Sequence, residues 1–238
     1  MPHGAPPGSA GPDPEQLWLR PAEPRRGRRP SFSREAITAA AVALADAEGL
    51  DAVTMRRVAT EVGAGVMSLY SYAPDKETLL ELMVDHVAGE LAVTDPPTGD
   101  WRADLKTLAH RQRAHMLRHP WLPAALTTRR TPGPRTLAFL EHALAALRPT
   151  GLDGAAKLEV FAQLTAFVAG HVSHEIAQAA LAHSPDRAAA ESRYLAAVAA
   201  DGAHPELADA LASPGRPQDA EATFGRFLAR LLDGVEAG

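Results

Sequence analysis

Between Thr54 and Leu80 the chain reads TMRRVATEVGAGVMSLYSYAPDKETLL, and its polar residues are of the kinds that hold a phosphate backbone. Tyr70, Tyr72 and Lys76 carry O–H and N–H donors, and Thr54 stands at a helix start whose first N–H groups lack intrahelical partners. Just upstream, Arg20, Arg25, Arg26, Arg28, Arg29 and Arg34 face a single acid, Glu23, so a chain of formal charge -5 carries a locally basic arm. Screening over about 8 to 10 Å at physiological salt lets that local charge, rather than the total, decide what the arm meets. Such an arm beside a groove reader lies along the backbone or enters a minor groove; the same composition also suits a solvated tail.

A second group gathers further on. His110, His115, His119, His142, His171 and His174 share the stretch 101–175 with Trp101, Trp121, Phe139, Phe161 and Phe167. Helices with apolar inner faces and a few polar groups are what a small-molecule pocket needs, and His110, Trp121, Phe139, Phe167, His171 and Glu175 are the candidate ligand contacts. Aromatics at helical spacing equally build a core. The run His171-Val172-Ser173-His174-Glu175 offers two imidazoles and a carboxylate, a zinc-type donor set, and an alternative reading makes it the centre of a small metal-dependent enzyme. Its order departs from the H-E-x-x-H arrangement, and the main reading assigns no metal, no cofactor and no catalysis. Zero cysteines exclude disulfides, thiolate metal sites and thiol nucleophiles. A phosphate-cradling glycine loop and a nucleophile elbow are also missing.

The elements that must position these residues are helical throughout. Alanine, the best helix former, makes up about a fifth of the 238 residues. Residues 1–30 are proline-rich without a sustained helical period and read as a mostly disordered leader ending in the basic arm. Ser33 can cap a helix that Gly49 stops, Thr54 caps a second that Gly63 ends, Gly65 to Ser71 makes about two turns, and Asp75 caps a longer helix to about residue 92. A linker, TDPPTGD, precedes helices predicted near 101–118, 120–127, 135–148, 154–183, 186–200 and 219–234. No stretch is long and apolar enough to span a bilayer, no signal peptide opens the chain, and a cytoplasmic location is expected. The expected division is a leader (1–30), a helix-turn-helix domain (31–92) and an all-α effector-binding and dimerisation domain (100–238).

Two short helices around a turn glycine form the helix-turn-helix pattern, whose second helix can enter the ~12 Å major groove. Many helical proteins contain the same arrangement for structural reasons, so the flanking residues carry the weight. Leu69-Tyr70-Ser71-Tyr72-Ala73-Pro74-Asp75-Lys76-Glu77-Thr78-Leu79-Leu80 resembles the L-Y-x-[HY]-x-x-x-K-x-x-L-L element of the TetR (tetracycline-repressor-like) family of bacterial transcription regulators. The resemblance runs from about Ser33 to Leu91.

It implies a homodimer that binds double-stranded operator DNA and is released by a small-molecule effector held in the second domain. It makes Arg56 a base-edge reader, places Val66, Met67, Ser68 and Ser71 toward the groove, and sets Thr54, Tyr70, Tyr72 and Lys76 on the backbone; Arg28 and Arg29 of the arm are the remaining DNA-binding candidates, along the backbone or in a minor groove. The chain departs from the family pattern at Gly65, where a capping side chain is common. Val66 and Met67 make only apolar contacts with bases, which leaves Arg56, the arm and DNA shape a larger share of specificity. Arg57 has two open readings, a phosphate contact or a solvent-facing side chain. A ligand-binding dimer that has lost DNA affinity stands as a further alternative.

Overall fold

The computed structural model describes residues 13–19, 32–127, 131–213 and 219–235. Arg28 and Arg29 lie outside the described residues. Among the described residues the fold is all-α, without strands. Side-chain caps set the helix starts: Ser33 Oγ accepts from Ala36 N to open α1 (Arg34–Glu48), and Thr54 Oγ1 accepts from Arg57 N to open α2 (Met55–Glu61). The turn after α2 passes through Gly63 at φ 67, a conformation in which a Cβ would be strained, and reaches α3 (Val66–Leu69).

Asp75 caps α4 (Lys76–Ala88), which continues as a tight turn over Gly89–Leu91. Asp100 caps α5 (Trp101–Arg118). Beyond it come α6 (Leu122–Thr127), α7 (Pro134–Ala146) and α8 (Gly154–Ala182), then α9 (Pro185–Ala200), α10 (Pro205–Ala212) and α11 (Ala220–Asp233).

Apolar stripes decide how these helices stack. Ile37, Ala41, Leu44 and Ala45 turn α1 against α4 and α2, around Val58, Leu69, Leu79, Met83 and Val87. In the second half α5 and α8 form the most extensive pairing, α7 packs against α4, α5 and α8, and Phe224, Leu228 and Leu232 seat α11 on α5 and α8. The segments α9 and α10 bury no residue; α10 packs on α9, and α9 on α8.

Three differences from the sequence expectations have physical causes. The segment 1–30, read as mostly disordered, holds a helical turn at Glu15–Leu19, where Leu17 enters the core and Arg34 donates to its carbonyl at 3.2 Å. The reading helix α3 is one turn rather than two, because Tyr72 N and Ala73 N both fold back on Leu69 O. The helix α10 was not among the expected helices: it is only eight residues long and begins at Pro205, in the stretch between those expected near 186–200 and 219–234.

Candidate DNA interface and effector cavity

The buried residues Val58, Ala59 and Leu69 turn the apolar sides of α2 and α3 inward and leave Arg56, Met67, Ser68, Tyr70 and Ser71 exposed. Met67 is 81% exposed, an unusual setting for a side chain with no polar atom to hydrate. Thr54 is exposed as well; its oxygen accepts the cap bond and its hydroxyl proton remains available to an acceptor. Lys76, in the first turn of α4, donates to Leu50 O at 3.1 Å and so leans toward the start of α2 with two N–H bonds to spare.

Not every expected contact is placed as the sequence suggested. Val66 is half-buried and packs on the core, so its methyls are largely spent inside. Ser71 Oγ donates to Ser68 O at 2.9 Å. Tyr72 is half-buried and gives its only proton to Phe32 O at 2.9 Å, which pins the point where the N-terminal arm enters the fold. In this conformation Tyr72 has no donor left for a phosphate. Arg57 faces solvent, one of its two expected fates, with its side chain 43% exposed, and there a bidentate pair with Glu48, at 2.8 and 2.6 Å, holds its guanidinium. That hydrogen-bonded pairing raises the Arg57 pKa and lowers that of Glu48.

A cavity of about 580 Å³ opens between α4, α6, α7 and α8. Val84, Pro123, Leu126, Leu140, Phe161 and Ala166 give it apolar walls, while Asp85, Thr136, Thr165 and Ser173 supply polar points. None of the six candidate ligand contacts lines it. Phe139 is buried behind the wall, 6.0 Å from the Phe161 ring, and Trp121 is buried with its Nε1 donating to Asp46 Oδ1 at 2.7 Å. His110, Phe167 and His171 instead surround Phe224, with ring centroids 5.0, 5.6 and 5.1 Å away, and tie α11 to α5 and α8.

Both oxygens of Glu175 are held by Arg113 at 2.6 and 2.9 Å, and Arg113 also reaches Glu221. Glu175 raises the Arg113 pKa in turn. His171, His174 and Glu175 border a separate, more open cavity of about 650 Å³ between α8, α9 and α11. The Glu175 carboxylate is committed to Arg113 rather than to the two histidines; burial lowers the His171 pKa.

The difference between the two cavity linings is rotational. Phe161, Thr165, Ala169 and Ser173 form one four-residue ladder on α8 and face the first cavity; Phe167, His171 and Glu175 form another, two residues out of phase, and face α11. Both ladders look alike in sequence. Asp85 was missed altogether. Its signal was an acid inside the apolar run LLELMVDHVA; in the fold it is 5% exposed, and its Oδ1 accepts from Arg135 N, Thr136 N and Thr136 Oγ1 at the start of α7.

Comparison with known proteins gives two family matches. Residues 37–83 match bacterial regulatory proteins of the tetR family, and residues 93–238 match the tetracyclin repressor-like C-terminal domain. The HTH-type transcriptional repressor DrrR1 of Streptomyces coeruleorubidus is 35% identical over 228 residues, 93% of this chain and 84% of that protein. An HTH-type transcriptional regulator of Saccharopolyspora erythraea is 32% identical over 224 residues, 94% of this chain and 92% of its own. Among solved structures, the Streptomyces coelicolor TetR family protein ActR in complex with actinorhodin superposes with a TM-score of 0.71 at 27% identity, covering 85% of this chain and 96% of ActR.

Proposed function

The chain belongs to the TetR family of bacterial transcription regulators, a family of regulators rather than enzymes, and from that premise we propose that it represses transcription as a homodimer released from its operator by a small, largely apolar effector. One observation carries the coupling. The helix α4 brings Lys76 beside the reading helices at one end and walls the first cavity with Val84 and Asp85 at the other. A helix of this length, ~20 Å at 1.5 Å per residue, is a rigid lever. A compound seated between α4, α7 and α8 that fits one α4 position better than another biases where Arg56, Met67 and Lys76 stand.

Direction follows from differential affinity alone: a full reversal from 1:99 to 99:1 needs about 5.5 kcal/mol of preference for the released geometry, and partial induction needs less. The homodimer reading is supported by α8 and α11, which leave Leu158 and Phe227 about half exposed beside alanine-rich surfaces that allow close helix approach. Two reading helices held ~34 to 36 Å apart then match successive major grooves. Among the described residues no helix is long and apolar enough to cross a membrane. A DNA target places the dimer in the cytoplasm.

The test is a mobility-shift titration of duplex from the region upstream of its own gene, across a salt series. Retardation that weakens steeply with salt is expected. Actinorhodin, the compound bound in the similar ActR structure, is the first effector to add. Failure to retard any duplex at low salt overturns the repressor reading in favour of a ligand-binding dimer without DNA affinity. A compound that occupies the first cavity and leaves the DNA complex intact overturns the release mechanism.

A further inference from the structure

A polar cluster that neither the reading face nor the effector cavity uses lies where the C-terminal ends of α1 and α4 meet α5. Glu90, in the turn after α4, and His115 and His119, at the end of α5, each bring one donor atom within 4.8 Å of the other two. His119 Nε2 stands 3.2 Å from one Glu90 oxygen and His115 Nδ1 stands 3.6 Å from the other. We propose that Glu90, His115 and His119 form a binding site for a divalent transition-metal ion of the zinc class, with a fourth position open to water.

The chemistry of the donors supports this. Two imidazoles with one carboxylate make a nitrogen- and oxygen-donor set suited to zinc and its first-row neighbours. Four-residue spacing puts both rings on one side of α5, with centroids 5.0 Å apart. Donors at ~2.0 to 2.1 Å around a tetrahedral ion stand about 3.3 Å from one another; His119 Nε2 already stands at that distance from one Glu90 oxygen, and a turn of the carboxylate with a small approach of the rings brings His115 Nδ1 to the same ion.

The surroundings of His119 match what a ligating imidazole requires. Its Nδ1 lies 2.8 Å from Asp46 Oδ1, and the same oxygen accepts from Trp121 Nε1. A carboxylate behind the ring holds the proton on Nδ1 and aims Nε2 at Glu90, the outer arrangement that orients metal-bound histidines, and an ion would take the place of the proton that Nε2 shares with Glu90. His115 is 1% exposed, and its Nε2 is buried without a hydrogen-bond partner. The competing cation is Arg118, whose Nη2 donates to Glu90 at 2.9 Å from a side chain 61% exposed. An exposed pair of this kind is weak, and Arg118 can swing into water when an ion arrives.

Because Asp46 belongs to α1, Glu90 follows α4, His115 belongs to α5 and His119 caps its end, an ion here would clamp the base of the DNA-reading helices to the second half of the chain. The site stands on its own geometry and does not depend on the effector reading. The test uses the full chain, purified without a histidine tag, stripped with chelator and dialysed. Zinc chloride and cobalt chloride are then titrated, with metal analysis, the visible bands of tetrahedral cobalt and thermal melting as readouts.

One ion per chain is expected, with a melting temperature raised by zinc. Glu90→Gln and His119→Gln should abolish both effects. Asp46→Asn should weaken binding ~10- to 100-fold, and Arg118→Ala, at an exposed position that does not threaten the fold, should tighten it. Folding of each variant is verified by circular dichroism. Folded wild-type protein that takes up no metal at high micromolar zinc overturns the proposal, as does uptake that survives both Glu90→Gln and His119→Gln.

Discussion

Removing the Asp85 carboxylate tests whether α4 and α7 are joined as the geometry implies. Asp85→Ala strands two backbone N–H groups at the start of α7 and the Thr136 hydroxyl, all of which now share one oxygen at 2.9 to 3.2 Å. A lost helix cap costs about 0.5 to 2 kcal/mol, and hydrogen bonds to a charged acceptor contribute about 1.5 to 3 kcal/mol. These contributions overlap, and water from the adjoining cavity refills part of the gap, so the expected loss is about 3 kcal/mol. Asp85→Asn keeps an oxygen acceptor in place and should cost about 1 kcal/mol. Gly133 adds an independent check, because a Cβ there would collide with the Asp85 carboxylate. Gly133→Ala should therefore cost about 1 to 3 kcal/mol alone and much less in the Asp85→Ala background. Urea denaturation at one fixed protein concentration measures all four variants, since dimer stability varies with concentration. An Asp85→Ala midpoint within about 0.5 kcal/mol of wild type, or an Asn variant as unstable as the Ala variant, refutes the cap.

The remaining predictions concern the reading face and the α5–α8 contact. Lys76→Ala should weaken binding to operator and random duplex alike and lower the slope of log affinity against log salt by about 1, measured by fluorescence anisotropy across a salt series. Arg56→Ala should cost about 1 to 3 kcal/mol on the operator while sparing random DNA; equal losses on both would remove it from base reading. Tyr72→Phe should lower folding stability by about 1 kcal/mol through the lost bond to Phe32 O and leave that salt slope unchanged, whereas a shallower slope would return Tyr72 to the phosphate contacts. Glu175→Gln leaves Arg113, whose side chain is 11% exposed, with the more exposed Glu221 as its remaining partner. Breaking such a pair from one side costs up to about 3 to 5 kcal/mol, and Glu221 should reduce this to ~2 kcal/mol. An Arg113→Met, Glu175→Leu double variant more stable than Glu175→Gln is expected by urea denaturation, and a less stable one would show the pair to be net stabilising.

The sequence by itself determined what depends on neighbours within a turn or two of chain. Ser33, Thr54 and Asp75 cap their helices through side chains only three residues from the N–H groups they bind, so those starts were legible as residue types in order; Asp100, Asp153 and Asp219 act in the same way. The helix-turn-helix was legible for the same reason, as were the exposed Arg56, Ser68, Tyr70 and Lys76. Rotation was not legible. Two equivalent ladders on α8, two residues out of phase, compete for the same description, and only packing against α4 and α7 on one side and α11 on the other decides which cavity each ladder borders. Long-range partners were hidden too: Asp85 meets α7 some 50 residues on, and His119 meets Asp46 across 73 residues. Helix periodicity specifies which side chains share a face, but the neighbour that face meets is fixed only when all the apolar stripes are buried together, and that is a property of the whole chain.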